Sequence, residues 1–194
     1  MTWGKLGSTT LGSAGDDLDI TSMTANTFNQ FLIHRIASGI SVVNVTLNDT
    51  GSSQYAKRSS INGATDVTST SDSFVRIDSD SATDMFSILN VIGISTEEKL
   101  NITQTVTSGT TGAGTAPDRW EIVFKWINTS DSITRIDTNN TSAGSYNTDS
   151  NLSALGSEGQ TAVSAKIQDG LLFEETDTNK HYIYTASTDT WTEL

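Results

Sequence analysis

His34 and His181 are the only imidazoles in this chain of 194 residues, and cysteine is absent. A serine or threonine nucleophile needs a base beside it, so a hydrolytic triad would have to draw on one of these two. No serine lies in a Gly-x-Ser-x-Gly turn, and each histidine falls within or at the start of a strand-like segment. Both therefore read as structural strand residues. Two histidines far apart in sequence make a poor zinc set, and thiolate metal sites and disulfides are excluded without cysteine. Glu97, Glu98, Glu121, Glu174 and Glu175 offer carboxylates for glycoside hydrolysis, but their spacing does not define the pairwise separation that chemistry requires. Residues 109–114 spell Gly-x-x-Gly-x-Gly without the Lys-Ser/Thr ending that cradles a phosphate, so they read as a flexible loop. These residues predict no enzyme.

Asp78, Asp80 and Asp84 place three carboxylates in one short run, and Asp16, Asp17 and Asp19 form a second cluster. Hard cations want several oxygen ligands on a flexible loop, which makes Asp78, Asp80 and Asp84 calcium candidates. Neither run has the glycine and terminal glutamate of an EF-hand loop, and a solvated acidic loop is the competing reading. No other cofactor is expected. Aromatic rings outside the strongest core strand, Trp3, Tyr55, Tyr146 and Trp191, are candidates for stacking on a sugar face, against ordinary packing as the alternative.

The elements that would position these groups are strands. Residues 119–127 alternate with period two, placing Trp120, Ile122, Phe124 and Trp126 on one face and Arg119, Glu121, Val123 and Lys125 on the other. The first face predicts a central core strand, the second a mostly solvated surface. Further strands are expected near residues 5–11, 18–21, 31–36, 42–47, 55–59, 73–77, 85–92 and 99–106, with Ala37-Ser38-Gly39 as a turn. In the last of these, Leu100, Ile102, Gln104 and Val106 alternate with polar partners, as in a half-exposed antiparallel strand. Helical periodicity is weak throughout. The expected fold is all-β: an antiparallel β-sandwich of residues 1–136, jelly roll by strand count, with an immunoglobulin-like sandwich as runner-up. Residues 137–160, rich in Asn, Ser, Thr and Gly, are expected to form a loop or linker. Residues 161–194 are expected to form a small β-meander carrying Phe173, Tyr182, Tyr184 and Trp191. So short a segment buries little alone, which marks these four residues as a docking surface.

Serine and threonine fill 57 positions, proline one, and the formal net charge is −12. So acidic a surface repels phosphate backbones, so no nucleic-acid partner is expected. No stretch is long and apolar enough to span a bilayer, and residues 1–5 lack a basic segment leading into an apolar one, so neither membrane insertion nor a secretion leader is expected. A hydroxyl-rich exposed β-protein without an export signal fits assembly into a virus particle released by lysis.

Residues 2–11, Thr-Trp-Gly-Lys-Leu-Gly-Ser-Thr-Thr-Leu, followed by Ala14-Gly15-Asp16, resemble the start of small virion proteins of marine tailed phages and related viruses. Residues 170–184, Gly-Leu-Leu-Phe-Glu-Glu-Thr-Asp-Thr-Asn-Lys-His-Tyr-Ile-Tyr, with Trp191 after them, are similar to a short β-meander module of phage structural and tail-fibre proteins. Together the two stretches span about a quarter of the chain. The resemblance implies a viral structural protein on the virion surface: a capsid decoration or turret subunit, made in the host cytoplasm. Its partners would be other virion proteins and copies of itself in a homo-oligomer. The alternative it implies is a bacteriophage tail or fibre protein acting in adhesion to host-surface carbohydrate. No catalytic residues transfer with it.

Overall fold

The structure, a computed structural model, describes residues 3–157 and 169–194, apart from residues 80, 111, 176, 179, 186 and 189. The described residues are all-β, with antiparallel pairing throughout and no helix. The chain divides into two units, residues 1–159 and 160–194.

The strands of the first unit follow in chain order. They are β1 (Gly4–Thr10), β2 (Asp17–Ile20), β3 (Phe28–Arg35), β4 (Ala37–Ser38), β5 (Asn44–Leu47), β6 (Tyr55–Ile61), β7 (Val67–Asp72) and β8 (Val75–Arg76), then β9 (Met85–Ile92), β10 (Lys99–Thr107), β11 (Asp118–Trp126), β12 (Ile136–Asn139), β13 (Ser145–Tyr146) and β14 (Asn151–Ser157). Eight of them form one sheet in the order β1-β14-β3-β9-β10-β11-β6-β7, and a four-stranded sheet runs β2-β12-β5-β8. The pair β4–β13 stands apart as a two-stranded ladder.

One buried cluster draws on both large sheets: Phe31, Leu89, Ile122, Phe124 and Trp126 from the eight-stranded sheet, Leu18, Val45, Leu47, Val75 and Ile136 from the other. Two sheets sharing one core make an antiparallel sandwich. The period-two reading of β11 holds: Ile122, Phe124 and Trp126 are buried, while Arg119, Glu121 and Val123 are exposed. A jelly roll would divide eight strands between two sheets. Here the division is eight and four, and that topology does not carry over.

Two expectations are corrected. Residues 37–39 are not a hairpin turn, because β3 and β5 enter different sheets and Ala37–Ser38 pairs with Ser145–Tyr146. Residues 137–157 are not a linker, and the first unit does not end at residue 136. β14 lies between β1 and β3 inside the large sheet, and β12 lies between β2 and β5. Apolar anchors are few here, but Ile136, Tyr146, Leu152 and Ala154 are all buried. Amide and hydroxyl side chains hold the intervening backbone. Asn140 Oδ1 accepts the Val42 N–H at 2.9 Å, and its Nδ2 donates to Asp16 at 3.0 Å. Ser150 Oγ accepts the Ile36 N–H at 3.0 Å. The expected element at residues 162–167 lies outside the described residues.

The second unit is the expected three-stranded meander, β15 (Leu172–Glu175), β16 (Lys180–Thr185) and β17 (Thr190–Glu193).

Candidate association surface

β10 alternates as expected, but with the opposite polarity to a core strand. Lys99, Asn101, Thr103, Thr105 and Thr107 are buried, and Leu100, Ile102, Gln104 and Val106 face out. The inner face is workable because most of its polar groups are partnered, Asn101 Nδ2 excepted. Lys99 Nζ donates to three carbonyl oxygens, of Ser95 at 3.1 Å, Glu97 at 2.8 Å and Asn128 at 2.7 Å. The same ammonium lies 5.5 Å from the centre of the Trp126 ring, close enough for cation–π attraction. Burial lowers the Lys99 pKa from its usual value. Thr103 donates to Asn101 Oδ1 at 2.6 Å, and Ser87 and Thr105 share a hydrogen bond of 2.8 Å. The register sets each small polar residue between large apolar ones: Thr103 between Leu89 and Ile122, Asn101 between Val91 and Phe124. The short β10 side chains thus leave the inner space to their neighbours.

The consequence appears on the outer face. Phe86 and Ile92 of β9, Leu100, Ile102 and Val106 of β10, and Val123 of β11 are 37–61% exposed. By register Ile102 faces Val123 and Val106 faces Phe86, and Gln104, between Ile88 and Glu121, lies on the same face between these two pairs. An open groove of ≈ 760 Å³ crosses this face, lined among others by Trp3, Phe28, Ile92, Leu100, Ile102 and Val123. Scattered apolar side chains are ordinary on a protein surface, whereas a contiguous apolar patch marks an interaction site.

The charges around the patch are matched. Arg58 pairs with Asp66 at 3.1 Å, Lys125 with Glu98 at 2.8 Å, and Arg119 approaches Glu121 at 4.0 Å. Glu98 and Glu121 thus serve as surface ion-pair partners.

Of the calcium candidates, Asp78 is fully buried and its carboxylate is engaged by protein groups. Arg35 Nη1 donates to Asp78 Oδ2, and the Val43 N–H donates to Oδ1 at 2.8 Å. Arg35, also fully buried, further donates to the carbonyls of Ser41 at 2.8 Å and Thr83 at 2.6 Å. Burial pushes the Asp78 carboxyl up to about 6, with the Arg35 guanidinium pulling the other way. Asp78 is therefore a core ion-pair residue rather than part of an open acidic loop. Asp84 accepts the Ala37 N–H at 3.0 Å, and Asp80 lies outside the described residues. The second acidic cluster is tied down by β12 and the residues on either side of it. Asp17 accepts from Asn139 at 2.7 Å, Asp16 from Asn140 at 3.0 Å, and Asp19 lies 4.0 Å from Arg135. Among the described residues no three His, Cys, Asp or Glu gather as a metal site.

His34 lies exposed on the outer face of β3, cross-strand from Phe86, and His181 lies 3.7 Å from Glu174 on the meander. Two of the four aromatic stacking candidates are core residues. Tyr55 donates toward the Leu47 carbonyl and accepts the Leu47 N–H at 2.7 Å, while Tyr146 donates to the Val42 carbonyl at 2.8 Å. Burial raises both phenol pKa values. Trp3 and Trp191 stay exposed.

Phe173, Tyr182, Tyr184 and Trp191, expected to act together, do cluster. Phe173 lies 6.0 Å from Trp191 and 6.3 Å from Tyr182, and Tyr184 lies 5.2 Å from Trp191, centroid to centroid. Phe173 and Trp191 are the exposed members, and Tyr184 is buried. This cluster was legible in the sequence, and the outer face of the large sheet was not. The alternation in residues 99–107 carried the signal, but not which side would face the core. Comparison of the chain with protein-family models, with curated proteins and with solved structures gives no match.

Proposed function

We propose that this chain is a structural protein of a virus particle, exposed on its surface and acting in capsid decoration or assembly through subunit contacts. The observation that carries the reading is the set of six exposed apolar side chains on the outer face of β9, β10 and β11, interspersed with Asn90, Gln104 and Glu121. Burial of such a face against another protein surface is the driving force for association. The exposed aromatic pair of the meander, Phe173 and Trp191, supplies a second apolar contact. Aromatic side chains of this kind are enriched at interfaces, where they bury large areas. The exposed face carries the apolar residues, and the hydroxyl-rich inner face of β10 carries the polar ones, an arrangement suited to attachment.

The test is retention by the particle. The full chain, tagged, should co-sediment with purified virus particles, and removal of residues 170–194 should release it. A full chain that stays in the soluble fraction while binding immobilised glycans would overturn this reading in favour of a carbohydrate-binding adhesin. That second reading rests on the exposed Trp191 ring beside the Lys180–Glu193 pair, which is 3.0 Å apart.

A further inference from the structure

We infer that the partner seated on the apolar outer face of β9–β10–β11 is a second copy of this chain. The inference deepens the association reading above and rests on it for the use of the face. Three observations select this occupant.

The first is charge. The chain carries a formal net charge of −12, so two copies repel over most of their surface. The outer face is the exception. Arg58, Arg119 and Lys125 are each matched there by Asp66, Glu121 and Glu98. A face whose cations and carboxylates are equal and already paired brings no repulsion when it meets itself. A strongly basic partner would find its complement elsewhere on this acidic chain, and a strongly acidic one would find no unpaired cation among Arg58, Arg119 and Lys125.

The second is area. Phe86, Ile92, Leu100, Ile102, Val106 and Val123 present on the order of 500 Å² of surface, the upper range for a patch on a lone chain. The half-buried Phe28, Leu32 and Ile88, together with the exposed polar Asn90 and Gln104 of the same face, extend it toward the roughly 800 Å² per partner of a stable interface.

The third is the state of the sheet edges. Copies of a β-protein can also associate edge to edge, adding strand to strand. Both ends of the eight-stranded sheet are interrupted. β1 shifts register between Lys5 and Gly7, and the β6–β7 ladder shifts between Tyr55 and Ala56, with Ser71 of β7 at φ 60°. Such irregularities blunt both edges of this sheet and favour its face as the route for association. Two sheets stacked through their faces would lie about 10 Å apart with side chains interdigitated.

The experiment compares the sedimentation of the full chain with that of Ile102→Asp, Val123→Lys and Val67→Asp. Val67 is a matched control: it is 65% exposed, like Ile102 at 61%, but it sits on the edge strand β7, opposite Ser59 of the inner face. The parent and Val67→Asp should sediment as the same oligomer. Ile102→Asp and Val123→Lys should weaken self-association at least tenfold and run as monomers with unchanged circular dichroism and melting. Because two different exposed positions are changed, misfolding of one variant leaves the other to decide. A monomeric parent, or an oligomer that survives both face variants, overturns the inference. Particle retention is measured separately. An oligomer that fails to attach to particles contradicts the proposed function alone, and a monomer that attaches contradicts the inference alone.

Discussion

Arg35 and Asp78 lie wholly inside the first unit, joined to each other and to backbone groups on either side. A buried ion pair adds little over an apolar replacement of both partners, but removal of one leaves a costly uncompensated charge. Arg35→Met should therefore destabilise the fold by about 3–5 kcal/mol near neutral pH, measured by denaturant unfolding. The pH dependence has a definite sign. The folded-state value of Asp78 is raised to about 6 from 3.8, so its contribution is full below the unfolded value and is lost as pH rises through the folded one. Removing the guanidinium raises the folded value further. The deficit of Arg35→Met against the parent should therefore be smaller near pH 4 than near pH 7.5, and a deficit that grows on acidification would refute the assignment. Asp78 was legible in the sequence as one carboxylate in an acidic run, but its partner was not. Arg35 lies 43 residues away, and only the meeting of β3 with the segment after β8 brings the two together.

At the scale of elements, strands whose apolar residues all fall on one side were readable, and β11 is the clearest case. β10 shows where reading stops. Its alternation fixes which residues share a face, but the neighbours decide which face is buried. Thr103 faces in because Leu89 and Ile122 on either side already fill the core. The stretch from β12 to β14 was unreadable for a different reason. Its order comes from pairing with strands near the start of the chain and from isolated side-chain-to-backbone hydrogen bonds, neither of which leaves a period in the sequence. The turn before β13 shows how tight that order is. A Cβ on Gly144 would stand 2.6 Å from the Gly39 carbonyl carbon and 2.7 Å from backbone atoms of Ile40, and Gly39 itself sits at φ +92°. Gly144→Ala should lower stability by about 1–3 kcal/mol through displaced backbone. An unchanged melting temperature would show that this turn gives way freely.

The whole molecule combines a strongly acidic chain with one charge-matched apolar face. Its all-β class and C-terminal meander were legible from spacing and composition, whereas the eight-and-four division of strands depends on long-range order that spacing does not encode. The central claim, that copies of the chain associate through the outer face of β9–β10–β11, makes a demand on ionic strength. Added salt screens the repulsion between copies and leaves apolar burial intact. Sedimentation velocity of the purified chain at low and high salt is the most direct measurement. An oligomer that holds or tightens as salt rises is the expected result. A monomer at every salt concentration, or an oligomer that dissolves on adding salt, would contradict it.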